Sequence, residues 1–201
     1  MDQRANEISK LPFAFPEIPH FETERLILRE VRTEHLLYLV NKAPANLARQ
    51  FMGIRNDAEW TNEKLRSVET SKNFGTGFCR FYLFEKKSGM LIGAAGFHNW
   101  NLLHRRTEIG YALNEDCWKR QGFMTEVLQF ILPFGFYELN LHRVEACVGP
   151  FNDASIKLVH NFGFQREGYM REHYYREGIH EDSILYSLLK SDFEKAYPCM
   201  P

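Results

Sequence analysis

Cysteine is scarce in this sequence. Cys79, Cys117, Cys147 and Cys199 are the four in 201 residues, and no two form a C-x-x-C pair. That excludes a disulfide framework and points to a reducing, cytoplasmic setting. Charge of one sign is lacking too: 25 Lys and Arg stand against 26 Asp and Glu, a net charge of −1. The basic excess of a dedicated nucleic-acid binder is therefore absent, and no direct nucleic-acid binding is expected. No long apolar run occurs. The most apolar stretch, Leu128 to Phe136, is broken by Gln129, Pro133 and Gly135, whereas a spanning helix needs ~20 apolar residues. Met1 to Lys10 carries Asp2, Arg4, Glu7 and Lys10 with no apolar run behind them, so neither a membrane segment nor an export leader is expected. The histidines are scattered and form no H-E-x-x-H, which gives no reason to expect a metal. No internal repeat or low-complexity tract is found.

What is present suits one soluble domain. Length alone gives roughly one unit, and 44% hydrophobic residues suffice for a core without a disulfide or metal staple. Pro12, Pro16 and Pro19 disfavour a helix near the start. We expect an extended arm over residues 1–22, a domain over 23–192 and a tail over 193–201. Strand-like segments fall at Arg25–Arg29, Phe78–Phe84, Met90–Phe97, Thr107–Leu113, His142–Val148, Phe164–Tyr175 and Ile184–Leu189. Helices are expected after Thr33, after Asp57, from Gly122 with a kink at Pro133, and over Asn152–Asn161 with Gly163 as the stop. The pattern is mixed α/β (α+β), with too few βαβ units for a doubly wound sheet.

One stretch between a strand and a helix invites chemistry: Lys119-Arg120-Gln121-Gly122-Phe123-Met124-Thr125-Glu126. Glycine admits close backbone approach, and a helix N-terminus offers unpaired N–H groups, which together suit an anion such as a pyrophosphate. Lys119 and Arg120 add charge beside it. No G-K-[ST] follows and no second or third glycine supports a dinucleotide fingerprint. Alone, the signal is weak, because one glycine opening a helix is more often a plain turn.

Its companions make it specific. With Thr107-Glu108-Ile109-Gly110-Tyr111 before it, and Asn152-Asp153-Ala154-Ser155 and Asn161-Phe162-Gly163-Phe164 after it, the chain resembles the GNAT superfamily of N-acetyltransferases, in its RimJ/RimL-type branch. The likeness runs from Glu22 through Tyr186. It implies a twisted, mixed but mostly antiparallel sheet of about six to seven strands, split between the fourth and fifth and flanked by about four helices. It also implies acetyl-CoA as co-substrate. The resemblance places the loop from Arg120 through Gln121, Gly122, Phe123 and Met124 to Thr125 around the pyrophosphate. Asn152 would meet the pantetheine or adenosine end, and main chain at Ala112 or Leu113 would polarise the acetyl carbonyl. It makes Glu108 the candidate base and Ser155 the candidate donor to the coenzyme sulfur.

The chain departs from the family pattern in places. Met124 stands where Gly or Ala is usual, and the turn from Tyr111 to Gly122 is about one residue longer, so Lys119 and Arg120 could exchange roles. Val159 occupies a position where many relatives carry Tyr. Tyr174 stands where some carry Glu, with Glu172 two residues away as a possible replacement.

Acetyl transfer needs a neutral amine. At pH 7 an α-amine of pKa ~7.8 is roughly 14% neutral and a lysine amine about 0.04%, so an α-amine needs less help. We expect direct attack in a ternary complex on a protein N-terminal α-amine, by a monomer or homodimer. A small-molecule amine, or a non-catalytic CoA-binding module, are the alternatives. More local readings stand beside these. Glu108 could pair with Arg105 or Arg106, and Ser155 could bond locally with Asn152. His98, at the end of the third strand, could line the acceptor mouth, but more often such a residue packs a loop. Tyr169, Tyr174 and Tyr175 could belong to the core or sheet surface.

Overall fold

The computed structural model describes residues 19–54, 56–72, 76–176 and 178–198. Most of the expected arm, residues 1–18, lies outside them. Among the described residues eight strands form one sheet: β1 (His20–Glu22), β2 (Leu26–Arg32), β3 (Thr76–Glu85), β4 (Leu91–Asn101), β5 (Arg106–Leu113), β6 (Arg143–Val148), β7 (Gln165–Arg176) and β8 (Ile179–Leu189). Their order is β1-β2-β3-β4-β5-β6-β8-β7. Every neighbouring pair is antiparallel except β5–β6. Six α-helices accompany them: α1 (Thr33–Asn41), α2 (Ala45–Met52), α3 (Asp57–Lys72), α4 (Phe123–Pro133), α5 (Asp153–Asn161) and α6 (Lys190–Ala196).

Each extra element is held by an identifiable contact. β1 is the end of the proline-bearing segment, held by pairing to β2 and by Phe21, whose ring lies 5.1 Å from Phe130 and 5.4 Å from Phe134. α2 follows Pro44 and buries Ala48, Phe51 and Met52, at the i, i+3, i+4 spacing of one helical face. α6 carries Phe193 into the core at 1% exposure.

Alternation along the strands sends side chains to both faces. Leu26, Leu28, Phe81, Phe97 and Ile109 pack with Val127, Leu128 and Ile131 of α4, Val159 of α5 and Phe193. Val31, Tyr82 and Phe84 on the other face pack with α1, α2 and Trp60 of α3. The sheet is thus covered twice, by α4–α6 and by α1–α3.

Several ends follow the sequence and two do not. Gly163 (φ +80°) stops α5: its N–H reaches the His160 carbonyl and that of Phe164 the Val159 carbonyl, the Schellman arrangement. α4 passes at Pro133 into a π-helical turn over Phe134–Glu138, where the missing proline N–H has broken the regular ladder. The helix after Asp57 is capped by Asn56 instead, whose Oδ1 accepts from the Glu59 N–H while its Nδ2 donates to the Glu59 carboxylate. Thr33 opens α1 without capping it; the Arg32 N–H donates to His35 Nδ1.

The parallel pair positions the site. β5 and β6 register only at Arg106↔Arg143, Thr107↔Val144 and Glu108↔Glu145. Beyond that point β5 stays with β4 as far as Leu113↔Gly93, and β6 stays with β8 as far as Val148↔Ile184. Each strand follows its own antiparallel partner, and the twist between neighbours opens a wedge.

Candidate functional site

A cleft of about 450 Å³ occupies the wedge, lined from β5 by Glu108 to Ala112, from β6 by Ala146 to Val148, and from α5 by Asn152 and Ser155. Main-chain direction along β5 follows from three bonds. The Arg105 carbonyl accepts from His142 and Arg143 on the β6 side, while the Asn114 N–H donates to Ile92 of β4. Strand alternation then turns the amides of Ile109, Tyr111 and Leu113 to the open edge and that of Ala112 to β4. Of the two main-chain donors expected for the acetyl carbonyl, Leu113 faces the wedge and Ala112 does not. Ala112 still lines the cleft.

Glu108 sits where the strands part, with its side chain 11% exposed. Its carboxylate accepts from Tyr174 Oη at 2.7 Å and Asn99 Nδ2 at 3.0 Å, and His98 Nε2 stands 3.4 Å away. Burial pushes its pKa up, but His98, Tyr174 and Asn99 outweigh burial and hold it down at about 2. The raised pKa that would make Glu108 a base for an ammonium is therefore not what the fold provides. The arginines go elsewhere: Arg106 meets Glu145 at 3.3 Å and Arg105 donates to the Asn140 carbonyl. His98 belongs to β4, which continues to Asn101, and it lines the cleft rather than packing a loop.

Tyr174 enters the cleft and Glu172 does not. A register shift between Met170 and Tyr174 breaks the alternation of β7. Glu172, at φ +52°, is exposed there with its N–H on Asp182. Tyr169 does not line the cleft but bonds Asp182, which does, at 2.6 Å, and Tyr175 lies tilted against His180 with ring centres 4.9 Å apart. Cys147 faces Glu108 from β6. Burial and then the Glu108 carboxylate push its thiol up to about 12, so it stays protonated.

At the start of α5, Asn152 Oδ1 accepts from the Ser155 N–H at 3.1 Å, a bond that does not use the Asn152 Nδ2. The local bond thus uses the Ser155 main chain, and both residues line the cleft. The Tyr111 hydroxyl is buried with no hydrogen bond of good geometry. Burial pushes this phenol up, and the neighbouring Ser155 hydroxyl offsets part of the effect. Val159, one turn on, is fully buried in the core.

The Lys119–Thr125 loop enters α4 through Gly122, at φ +80° and with no side-chain cap. The first main-chain bond of the helix runs from the Glu126 N–H to the Gly122 carbonyl, so the preceding amides of Phe123, Met124 and Thr125 have no carbonyl one turn back. Lys119 Nζ meets Asp116 at 2.6 Å, and Arg120 adopts φ +61°. The loop is held by residues that sequence reading missed. Arg25 donates to Glu126 at 2.7 Å and to the Gln121 carbonyl at 2.9 Å, and its guanidinium lies 4.3 Å from the Phe123 ring centre. Thr23 and the Arg25 N–H also donate to Glu126. Among the described residues no group of three or more His, Cys, Asp or Glu could hold a metal ion. No described helix is long and apolar enough to cross a membrane.

Comparison with known proteins agrees with this geometry. A family model described as an acetyltransferase (GNAT) domain matches residues 25–165. The uncharacterized N-acetyltransferase p20 of Bacillus licheniformis is 32% identical over 85% of this chain and 96% of its own. YoaA, an uncharacterized N-acetyltransferase of Bacillus subtilis, is 32% identical over 86% and 97%. The ribosomal protein uS5-alanine N-acetyltransferase of Escherichia coli is 29% identical over 56% and 58%. Among solved structures, the ribosomal-protein-S5-alanine acetyltransferase of Vibrio fischeri superposes with a TM-score of 0.63 at 24% identity, over 87% of this chain and 98% of its own. The spermidine/spermine N-acetyltransferase SpeG of Vibrio cholerae gives 0.61 at 21%, over 86% and 99%. With the family model covering more than half its length and relatives aligning almost end to end, this chain belongs to the GNAT acetyltransferases and is an N-acetyltransferase.

Proposed function

We propose that the protein transfers the acetyl group of acetyl-CoA to a protein N-terminal α-amine, by direct attack and in the cytoplasm. The observation that carries this is the wedge itself: an unpaired β5 edge with a buried carboxylate at its apex, to which the uncapped start of α4 is added as the site for the diphosphate. These features fit the coenzyme. The amides of Phe123 to Thr125 suit a diphosphate, and the outward amides of Ile109, Tyr111 and Leu113 suit an extended pantetheine arm paired as an added strand. Acetyl-CoA supplies an activated acyl group with a thiolate leaving group.

The chain's own residues do the rest. Leu113 N–H is aimed at the edge where negative charge would develop on the carbonyl oxygen. Ser155, beside the Tyr111 hydroxyl, is the donor toward the sulfur. Glu108 remains ionised and draws a cationic amine to the apex. Holding amine and thioester together supplies much of the acceleration. Cys147 is a protonated thiol and no competing nucleophile, which supports direct attack.

Support for the α-amine comes from the uS5-alanine relative and from the larger neutral fraction of such amines near pH 7. Glu181 and Asp182 add acid to the lining, a feature that favours a small polycation as the second reading. Acetyl-CoA offered with alanine- and serine-starting peptides and with spermidine separates them. Acetylation of the peptides is expected; acetylation of spermidine alone would remove the protein acceptor.

A further inference from the structure

We infer that His98 is the proton acceptor for the incoming amine, with Glu108 as the group that orients it; the inference rests on the N-acetyltransferase reading above. His98 stands directly across the β4–β5 ladder from Glu108, and its Nε2 lies 3.4 Å from Glu108 Oε1. That contact favours a proton on Nε2, the ring nitrogen nearer the carboxylate. In that tautomer Nδ1 keeps its lone pair. The Cε1–Nδ1 edge lies over Gly110, where a Cβ would come 3.0 Å from Cε1 and 3.4 Å from Nδ1. Because residue 110 has no side chain, this edge opens onto the cleft that both residues line. The His98 side chain is 40% exposed, so a captured proton has a path to water.

The other groups around the ring leave the task to it. Glu108 is a permanent anion held by Tyr174 of β7 and Asn99 of β4. Cys147 of β6 holds its proton to about 12. Glu181 and Asp182 of β8 are acids that add negative charge to the lining. Arg80 of β3, on the same sheet face, is tied to Glu63 of α3 at 3.0 Å. An ammonium therefore approaches a negative mouth in which the Nδ1 lone pair of His98 is the base that lines the cleft. The amine gives one proton to Nδ1, which passes it to solvent. Its lone pair then forms the C–N bond as the C–S bond breaks, and the second N–H proton ends on the departing thiolate. One proton is released per turnover.

Two measurements on the full chain test this. Nitrogen NMR of histidine-labelled, coenzyme-free protein above neutral pH should show the Nε2–H tautomer for the ring whose signal disappears in His98→Gln; the Nδ1–H tautomer overturns the assignment. Kinetics then use acetyl-CoA with whichever of an alanine-starting peptide, a serine-starting peptide or spermidine the wild type turns over fastest. His98→Gln should lower kcat by about 100-fold or more, keep acetyl-CoA affinity, and abolish the loss of rate on acidification. Added imidazole should restore part of the rate to His98→Ala. If the wild type is active while both variants match it in rate and pH profile, the inference fails alone. If the wild type acetylates none of these amines, the enzyme reading fails and takes the inference with it.

Discussion

Glu108 shows how a single side chain is set by its partners. Burial alone would favour its neutral form, yet His98, Tyr174 and Asn99 hold the pKa at about 2 against an ordinary 4.5. A depressed folded-state pKa adds stability above the unfolded value, and that stability is lost as pH falls through the folded value. Glu108→Gln should therefore melt below the wild type at neutral pH, with the gap closing between pH 4.5 and about 2; a gap independent of pH in thermal melts would contradict the assignment. Cys147 makes the complementary case. Its protonated thiol takes no part in transfer, so Cys147→Ala should keep kcat, and mass spectrometry after acetyl-CoA alone should find no acetylated enzyme. The sequence placed Glu108 and Ser155 at the cleft through family likeness, but not the partners of Glu108. Tyr174 is 66 residues away, and Glu172, which strand alternation would put beside it, is turned out by a bulge. No periodic pattern records either fact.

The element proposed to hold the coenzyme's diphosphate is a helix start held from a distance. Gly122 takes φ +80°, and a Cβ there would lie 3.6 Å from Arg25 Nη2. Ala at this position pays left-handed strain of ~1–2 kcal/mol. Asp adds a negative charge where the diphosphate would sit. Calorimetric titration should find acetyl-CoA weakened by Gly122→Asp more than tenfold, more than about 1.4 kcal/mol, and by Gly122→Ala much less. Arg25→Ala removes bonds to both Glu126 and Gln121, so it should weaken the coenzyme and leave the pH profile of kcat alone. Equal affinity in Arg25→Ala would show that the loop keeps its shape unaided. Gly122 and the Gly163 stop were legible because each answers a local backbone demand. Arg25 was not, since it acts on α4 across 101 residues of chain. β1 and α6 were missed for the same reason: short segments with weak patterns, stabilised by Phe21 and Phe193 against a core assembled elsewhere.

At the scale of the whole molecule, the wedge is the consequence of two antiparallel half-sheets meeting at three residue pairs. Hydrophobic alternation made the strands readable, and neither it nor the charge balance could show that β5 and β6 separate after Glu108. That divergence needs β4 and β8 in place. A site between two half-sheets couples ligand binding to the stability of the fold, because a ligand bridging β5, β6, α4 and α5 binds the assembled chain and not the unfolded one. At 100 times its Kd a ligand adds about 2.7 kcal/mol, which for a chain of this size raises Tm by roughly 5–11 °C. CoA and acetyl-CoA share the diphosphate and pantetheine, so both should give a rise of this order. Gly122→Asp should need a far higher concentration of either to reach it. Thermal melts in which neither ligand moves the wild-type Tm would mean that the wedge holds no coenzyme. A rise of the same size and concentration dependence in Gly122→Asp would move the diphosphate away from α4 while leaving the wedge occupied.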